Sequence, residues 1–259
     1  MSGLTALVTT YNEGSIISET LRRLSFADEI LVVDSFSEDD TVEIARAAGA
    51  RVLQHEYESP SAQKNWALPQ AQHEWVLIVD ADEWVTPELA EEIRQTIADP
   101  GRCDGYEIKR RNFFLGREIR HSGWQRDWVL RLVRRDRGRY AERHIHEVME
   151  VQGDTGRLRA CLLHHSYRTM DDYWRKLRRY AEWNAREARR NGSTVSAPYL
   201  IFHPPLRFLR AYLLQGGFLD GTHGAIVSVL TALYAAAKDI KIWELQQGSR
   251  DERSEQEES

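Results

Sequence analysis

The first hundred residues alternate between short apolar runs and helical patterns. Leu4–Thr9 is an apolar run that closes in Thr10-Tyr11-Asn12-Glu13. Glu29–Asp34 and Trp75–Val79 are two more, each leading into carboxylates, and Arg51–Gln54 is strand-like. Between them Ile16, Ile17, Leu21 and Leu24 recur at helical spacing. Thr41–Ala48 is helical with Gly49 as C-cap, and Ser61–Leu68 also reads as a helix. Pro87 opens a helix to Ile97 with Thr86 as N-cap. Continuous apolar strands alternating with helices predict a mostly parallel central sheet covered on both faces, an α/β fold. Ligands of such sheets bind beyond the carboxyl ends of the strands. Thr9-Thr10-Tyr11, Asp34 and Asp80-Ala81-Asp82 fall at three of those ends.

From about residue 104 the pattern changes. Gly105–Lys109, Trp128–Val133 and Leu158–His164 predict strands of an antiparallel or mixed extension. Met170–Asn191 predicts an amphipathic helix with Met170, Tyr173, Trp174, Leu177, Tyr180, Ala181 and Asn184 on one face. Residues 198–214 and 224–246 predict further helices. The expected organisation is a sheet domain over 1–167, a helical extension over 168–247 and a disordered acidic tail over 248–259.

Charge adds an asymmetry that the formal net of −5 hides. Residues 1–100 hold 6 basic and 19 acidic groups, whereas residues 102–143 hold 13 basic and 6 acidic. Two cysteines, Cys103 and Cys161, have no metal or redox spacing and suit a reducing compartment. The opening residues predict no signal peptide. The uncharged stretch from Ala225 to Ala237 falls short of the roughly 20 residues that span a bilayer.

Strand alternation points Asp80 and Asp82 the same way. Two converging carboxylates repel unless a cation lies between them. Oxygen ligands select a hard ion such as Mg²⁺ or Mn²⁺, which commonly also binds substrate phosphates. The alternative is a solvated acidic turn that caps the next helix. Asp34 is placed to accept hydrogen bonds from a base or ribose, or to cap the helix after it. Neither Gly-x-Gly-x-x-Gly nor Gly-x-x-x-x-Gly-Lys-Ser/Thr occurs, so neither a nicotinamide fold nor a P-loop is supported.

The strings Val-Thr-Thr-Tyr-Asn-Glu (8–13), Leu-Val-Val-Asp-Ser-Phe-Ser-Glu-Asp-Asp-Thr (31–41), Ser-Ala-Gln-Lys-Asn-Trp-Ala-Leu (61–68) and Val-Asp-Ala-Asp-Glu (79–83) resemble family 2 glycosyltransferases of the GT-A fold. Trp-Gln-Arg-Asp-Trp-Val-Leu-Arg-Leu (124–132), His-Ile-His-Glu-Val (144–148), Leu-His-His-Ser-Tyr-Arg-Thr (163–169) and Phe-Leu-Asp-Gly-Thr-His-Gly (218–224) are similar to one bacterial branch, the lipopolysaccharide inner-core β-1,4-glucosyltransferases.

The resemblance implies inverting, metal-dependent transfer of a hexose from a nucleotide-sugar, with UDP-glucose the first candidate, to a lipopolysaccharide-core or other envelope glycan. Thr9, Tyr11, Glu13, Asp34, Lys64 and Asp80 would bind the donor. Asp82 would hold the Mg or Mn ion, with Asp80 and His164 as further ligands. Asp127 is the first candidate for the base that takes the acceptor proton, although Arg126 stands where the family often has an acid, and Glu147 is its competitor. An anionic glycolipid acceptor would be drawn to Arg110, Arg111, Arg117, Arg120, Arg134 and Arg135. The implied location is cytoplasmic, peripheral on the inner face of the plasma membrane, with a homodimer as a further candidate assembly. A nucleic-acid partner is not expected, since the chain is net acidic and holds no module for one. Two alternatives remain: transfer to a polyprenyl phosphate, and a nucleotide-sugar-binding protein without catalysis.

Overall fold

The structure is a computed structural model and describes residues 3–141 and 148–257, with side chains to 247. It divides into two compact units. One holds residues 1–112 and 126–166, the other 113–125 and 167–259. The C-terminal unit therefore takes in a segment from the middle of the chain as well as the residues after 167.

In the first unit the chain runs β1 (Leu4–Thr10), α1 (Gly14–Arg22), β2 (Glu29–Asp34), α2 (Thr41–Ala47), β3 (Arg51–Gln54), α3 (Pro60–Ala67), β4 (Trp75–Asp80), β5 (Glu83–Val85) and α4 (Pro87–Ala98). Then come β6 (Cys103–Phe114), β7 (Arg117–Glu118), β8 (Trp128–Arg134), β9 (Gly138–Tyr140), β10 (Met149–Val151) and β11 (Asp154–Tyr167), of which β7 belongs to the second unit. The main sheet has the strand order β3-β2-β1-β4-β8-β6-β11-β5. β3, β2, β1 and β4 are parallel, and β8 enters antiparallel to β4. This is the expected α/β architecture, with its antiparallel extension where the sequence pattern changes.

The parallel strands are apolar throughout because both faces are covered. Ala6, Val8, Val32, Leu77 and Val79 pack with Ile17 and Leu21 of α1, Ala45 of α2 and Leu89 and Ile93 of α4. Their alternating neighbours Leu7, Leu31, Val33, Val76 and Ile78 pack on the other face with Ala67 and Leu68. Both predicted helix signals hold. The Thr86 hydroxyl accepts a hydrogen bond from Leu89 N at 3.2 Å, and Gly49 takes a left-handed φ of 81°. The sequence pattern missed the short strand β5, which reads locally as an acidic turn.

The second unit contains α5 (Met170–Arg190), α6 (Ala197–Leu209) and α7 (Gly221–Glu257), together with a π-turn over Arg210–Leu214 and a short 3₁₀ turn over Gly217–Asp220. α7 takes in residues 248–257, where composition predicts a tail without structure. Phe114, Ile119, Tyr173, Val227 and Leu230 form its main core, and the Tyr173 hydroxyl donates to Leu230 O at 2.8 Å. Tyr173 and Ala181 are buried on α5 as expected, while Trp174 is exposed. A Cβ on Gly224 would lie 1.8 Å from Gly217 O, so only glycine allows the 3₁₀ turn to seat against the start of α7. Cys103 and Cys161 are free thiols.

Candidate active site

Strand register assembles the site. Thr9 pairs with Asp80 and Thr10 with Asp34, so the carboxyl ends of β1, β2 and β4 lie abreast. Beyond β1 the backbone turns at Asn12, with φ 53°. Asn12 N donates to Ser37 Oγ at 2.8 Å, and Glu38 N donates to Asn12 Oδ1 at 2.8 Å. Glu13 N donates to Thr41 Oγ1 at 2.9 Å. The loops after β1 and β2 are thereby tied together. Tyr11 is exposed on this rim, and Thr9 and Glu13 are half-buried.

Asp34 is fully buried. It accepts from Ser37 N at 2.9 Å, from the Ser37 hydroxyl and from Gln54 Nε2 at 3.1 Å. In this conformation its carboxylate holds the loop after β2, and the N-cap position of α2 belongs to Asp40.

Asp80 sits between two cations. Lys64 Nζ lies 2.9 Å from Oδ1, and Arg131 Nη2 donates to Oδ2. Burial pushes the Asp80 pKa up, but the charges of Arg131 and Lys64 override it and hold the carboxyl well below its usual range. Lys64 is itself buried, with Nζ 5.5 Å from the Tyr140 ring centroid. Both Asp80 oxygens thus face cations of the protein, an arrangement that a divalent ion on Asp80 would have to disturb.

The pairing continues through residues that local sequence did not single out. Glu83 is fully buried, and its Oε1 accepts from Arg131 Nη2 at 2.7 Å and from Arg110 Nη1 at 2.9 Å. Arg110 then grips Asp127 with two bonds, Nε to Oδ2 and Nη2 to Oδ1, each 2.9 Å. Asn112 Nδ2 donates to Asp127 Oδ2 at 2.8 Å. Arg110 and Asn112 are two apart on β6, so both project from the same face. That spacing is the one sequence signal that could have found them. Arg110 is thus engaged with both Glu83 and Asp127. Arg134 pairs with Glu74 and Asp104, and Arg135 with Asp136, which occupies them too.

Burial raises the Asp127 pKa, but the hydrogen bonds and charge of Arg110, the Asn112 amide and nearby His164 outweigh it. The carboxyl titrates below its usual range. Oδ2 accepts two bonds and Oδ1 only one, so Oδ1 retains a lone pair for a further donor.

Asn112 also fixes His164. A carboxylate only accepts, so the Asn112 amide nitrogen must face Asp127 and its oxygen must face His164. His164 Nδ1 therefore carries the proton and donates to Asn112 Oδ1 at 2.7 Å. In the neutral ring Nε2 is then a base, and it lies 3.8 Å from Asp82 Oδ1. Asp82 is held by the β5–β11 ladder, where His164 pairs with Glu83 and His165 N donates to Asp82 O at 2.8 Å. Thr20 Oγ1 donates to Ala81 O at 2.6 Å and fixes the turn between the two acids. An imidazole nitrogen and a carboxylate oxygen directed together suit a divalent ion that draws its remaining ligands from a diphosphate. Among the described residues no three His, Cys, Asp or Glu side chains converge on one point. Glu147, with His144 and His146, lies outside the described residues.

The chain is similar to known proteins over most of its length. The chain is 29% identical over 248 residues to the lipopolysaccharide core biosynthesis glycosyltransferase LpsC of Rhizobium meliloti, covering 93% of this chain and 92% of the relative. It is 26% identical to an uncharacterized glycosyltransferase, RT0209, of Rickettsia typhi, covering 96% and 90%. Among solved structures the mannosyltransferase PcManGT of Pyrobaculum calidifontis, in complex with GDP-Man and Mn²⁺, has the same GT-A fold with a TM-score of 0.56. It is 17% identical, over 94% of this chain and 88% of that one. The pattern of glycosyl transferase family 2 matches residues 5–164, a span that holds every member of the charge chain from Lys64 to His164, and the chain belongs to that family.

Proposed function

We propose that the protein is an inverting hexosyltransferase that uses a nucleotide-sugar, UDP-glucose first among candidates, and a hydroxyl of a lipopolysaccharide-core glycan as acceptor. The observation that carries this reading is the line of opposite charges Lys64, Asp80, Arg131, Glu83, Arg110 and Asp127, which joins the donor end of the sheet to a carboxylate with an open lone pair. The similarity to a core-biosynthesis transferase over nearly the whole chain supports the acceptor class.

Thr9, Tyr11 and Glu13 border the nucleotide in this reading. Asp34 holds the adjoining loop. Lys64 and Asp80 meet the ribose and phosphates. Asp82 and His164 would hold a Mg²⁺ or Mn²⁺ ion, and His164 is oriented for it by Asn112. When bound, that ion offsets the negative charge that develops on the departing diphosphate. Asp127 Oδ1 takes the acceptor proton as the new glycosidic bond forms on the face opposite the leaving group, which inverts the anomeric centre. Its low pKa keeps it ionised at neutral pH. Arg110 and Asn112 hold its plane, and proximity supplies the rest of the rate. The enzyme works in the cytoplasm, on a glycolipid.

The test is turnover of UDP-glucose with Mn²⁺ and an isolated lipopolysaccharide core. Expected are UDP release and a product whose new anomeric centre is opposite to the donor's by NMR. Donor binding without turnover on any core acceptor would favour a binding protein. Transfer to polyprenyl phosphate alone would move the acceptor class.

A further inference from the structure

The second unit carries an inverted pattern. α6 has no buried residue, and its outward side is apolar. Ile201, Phe202, Pro205, Leu206, Leu209 and Leu213 recur at three- and four-residue spacing, so they form one stripe along the helix and into the π-turn. Ile201, Phe202 and Leu206 are 64%, 65% and 60% exposed. Leu214 continues the stripe at 83%, followed by exposed Phe218 and Leu219. Self-packing therefore does not account for these side chains, and a patch of this kind marks an interaction surface.

The chemistry around the stripe selects the occupant. Residues 197–219 contain Arg207 and Arg210 and no acidic residue until Asp220. At the end of the stripe Leu219 borders a cavity of about 430 Å³ lined also by Arg117, Glu118, Arg120, His121 and Asp220. Asp220 is committed to holding that cavity open. Its Oδ2 accepts from Arg120 N at 3.1 Å and His121 N at 2.8 Å, and its Oδ1 accepts from His121 Nδ1 at 2.9 Å. Glu118 is shared with Arg120 at 3.1 Å. The Arg117 and Arg120 guanidinium groups remain as donors on the wall. Apolar side chains bounded by arginines, with a donor-lined hollow at one end, match a bilayer surface with phosphate headgroups. Pro204 and Pro205 within α6, and Gly216 and Gly217 after it, keep the segment short, and no described helix is long and apolar enough to cross a membrane.

We infer that α6 and the turn to Asp220 form a docking surface that lies in the headgroup layer of an anionic bilayer, with a lipid phosphate seated between Arg117, Arg120 and His121. The stripe supplies insertion and the arginines supply the preference for anionic lipid.

Flotation of the full chain with vesicles tests this, using phosphatidylcholine alone and phosphatidylcholine with phosphatidylglycerol. The chain should float with the anionic vesicles and less with the neutral ones. Leu206→Glu/Leu213→Glu, at exposed positions that leave the core intact, should remain at the bottom with both while keeping the wild-type melting curve. Arg117→Glu/Arg120→Glu should lose at least about 25-fold in partitioning to anionic vesicles, since each basic residue near such a surface contributes roughly fivefold, and should bind neutral vesicles as before. A wild-type chain that stays at the bottom with every vesicle and salt concentration overturns the inference. So does a stripe that, when substituted, only converts a solution dimer to a monomer. Equal flotation of wild type and the Arg117/Arg120 variant removes the headgroup pocket.

Discussion

His164 Nε2, on β11, lies 3.8 Å from Asp82 Oδ1, in the turn that leads into the paired strand β5. Two bases this close suit a shared cation, and Asn112 decides which ring nitrogen is offered. Asp82→Ala and His164→Ala are therefore expected to abolish Mn²⁺-dependent turnover while the chain melts as before. Asn112→Ala should lower Mn²⁺ affinity by about 10–100-fold, the usual cost of losing a group that orients a ligand. Electron paramagnetic resonance of Mn²⁺ titrated with UDP reads this without turnover. Unchanged Mn²⁺ binding by all three variants would place the ion elsewhere.

Asp127→Asn keeps the shape and the Arg110 contact on one oxygen but cannot take a proton. A fall of about 10²–10⁴-fold in kcat is expected, with the donor KM unchanged. Glu147→Gln should retain turnover. The reverse outcome in steady-state kinetics transfers the base role to Glu147.

Arg110 is expected to tune Asp127 in the proposed base role. Asp127 is held below the ordinary carboxylate range, so the acid limb of kcat/KM should lie below about pH 4. Arg110→Gln removes the cation and leaves the burial that raises the pKa. The acid limb should then move up by about 1–3 pH units, the usual effect of one close opposite charge. A pH profile that merely drops in height would assign Arg110 to structure alone.

The low pKa of Asp80 makes a stability statement. A depressed folded-state pKa contributes stability that is complete above the unfolded value of about 4 and disappears as pH falls through the folded value. Wild-type stability should decline on that acid side. Asp80→Asn should be less stable at pH 7, because Lys64 and Arg131 lose their counter-charge in a buried setting, and its stability should vary less with pH below about 4. Urea unfolding at several pH values measures both.

The parts of this fold that were readable are those written locally. β1, β2 and β4 are continuous apolar runs because both their faces are covered, and Thr86 and Gly49 act within a turn of their own helices. Asp127 and His164 were singled out by the family resemblance, while Asp80 and Asp82 stood out as polar residues at a strand end. Glu83 did not, since its burial depends on Arg110 and Arg131, 27 and 48 residues away. Arg110 and Arg111 look alike in sequence and differ only in which face of β6 they leave. The exposed apolar side of α6 was equally hidden, because helical spacing gives a stripe without saying whether protein covers it.

The pairing of His164 with Glu83 has a consequence for how the chain tolerates changes in length. Neighbouring residues of β11 project to opposite faces, and the His165 ring packs tilted against Trp84 with ring centroids 3.9 Å apart. A slip of one residue would bring Leu163 or His165 opposite Glu83 and take the His164 ring away from Asn112 and Asp82 together. A single-residue deletion between Leu158 and Leu162 would thus silence the site while leaving every one of its side chains in the chain.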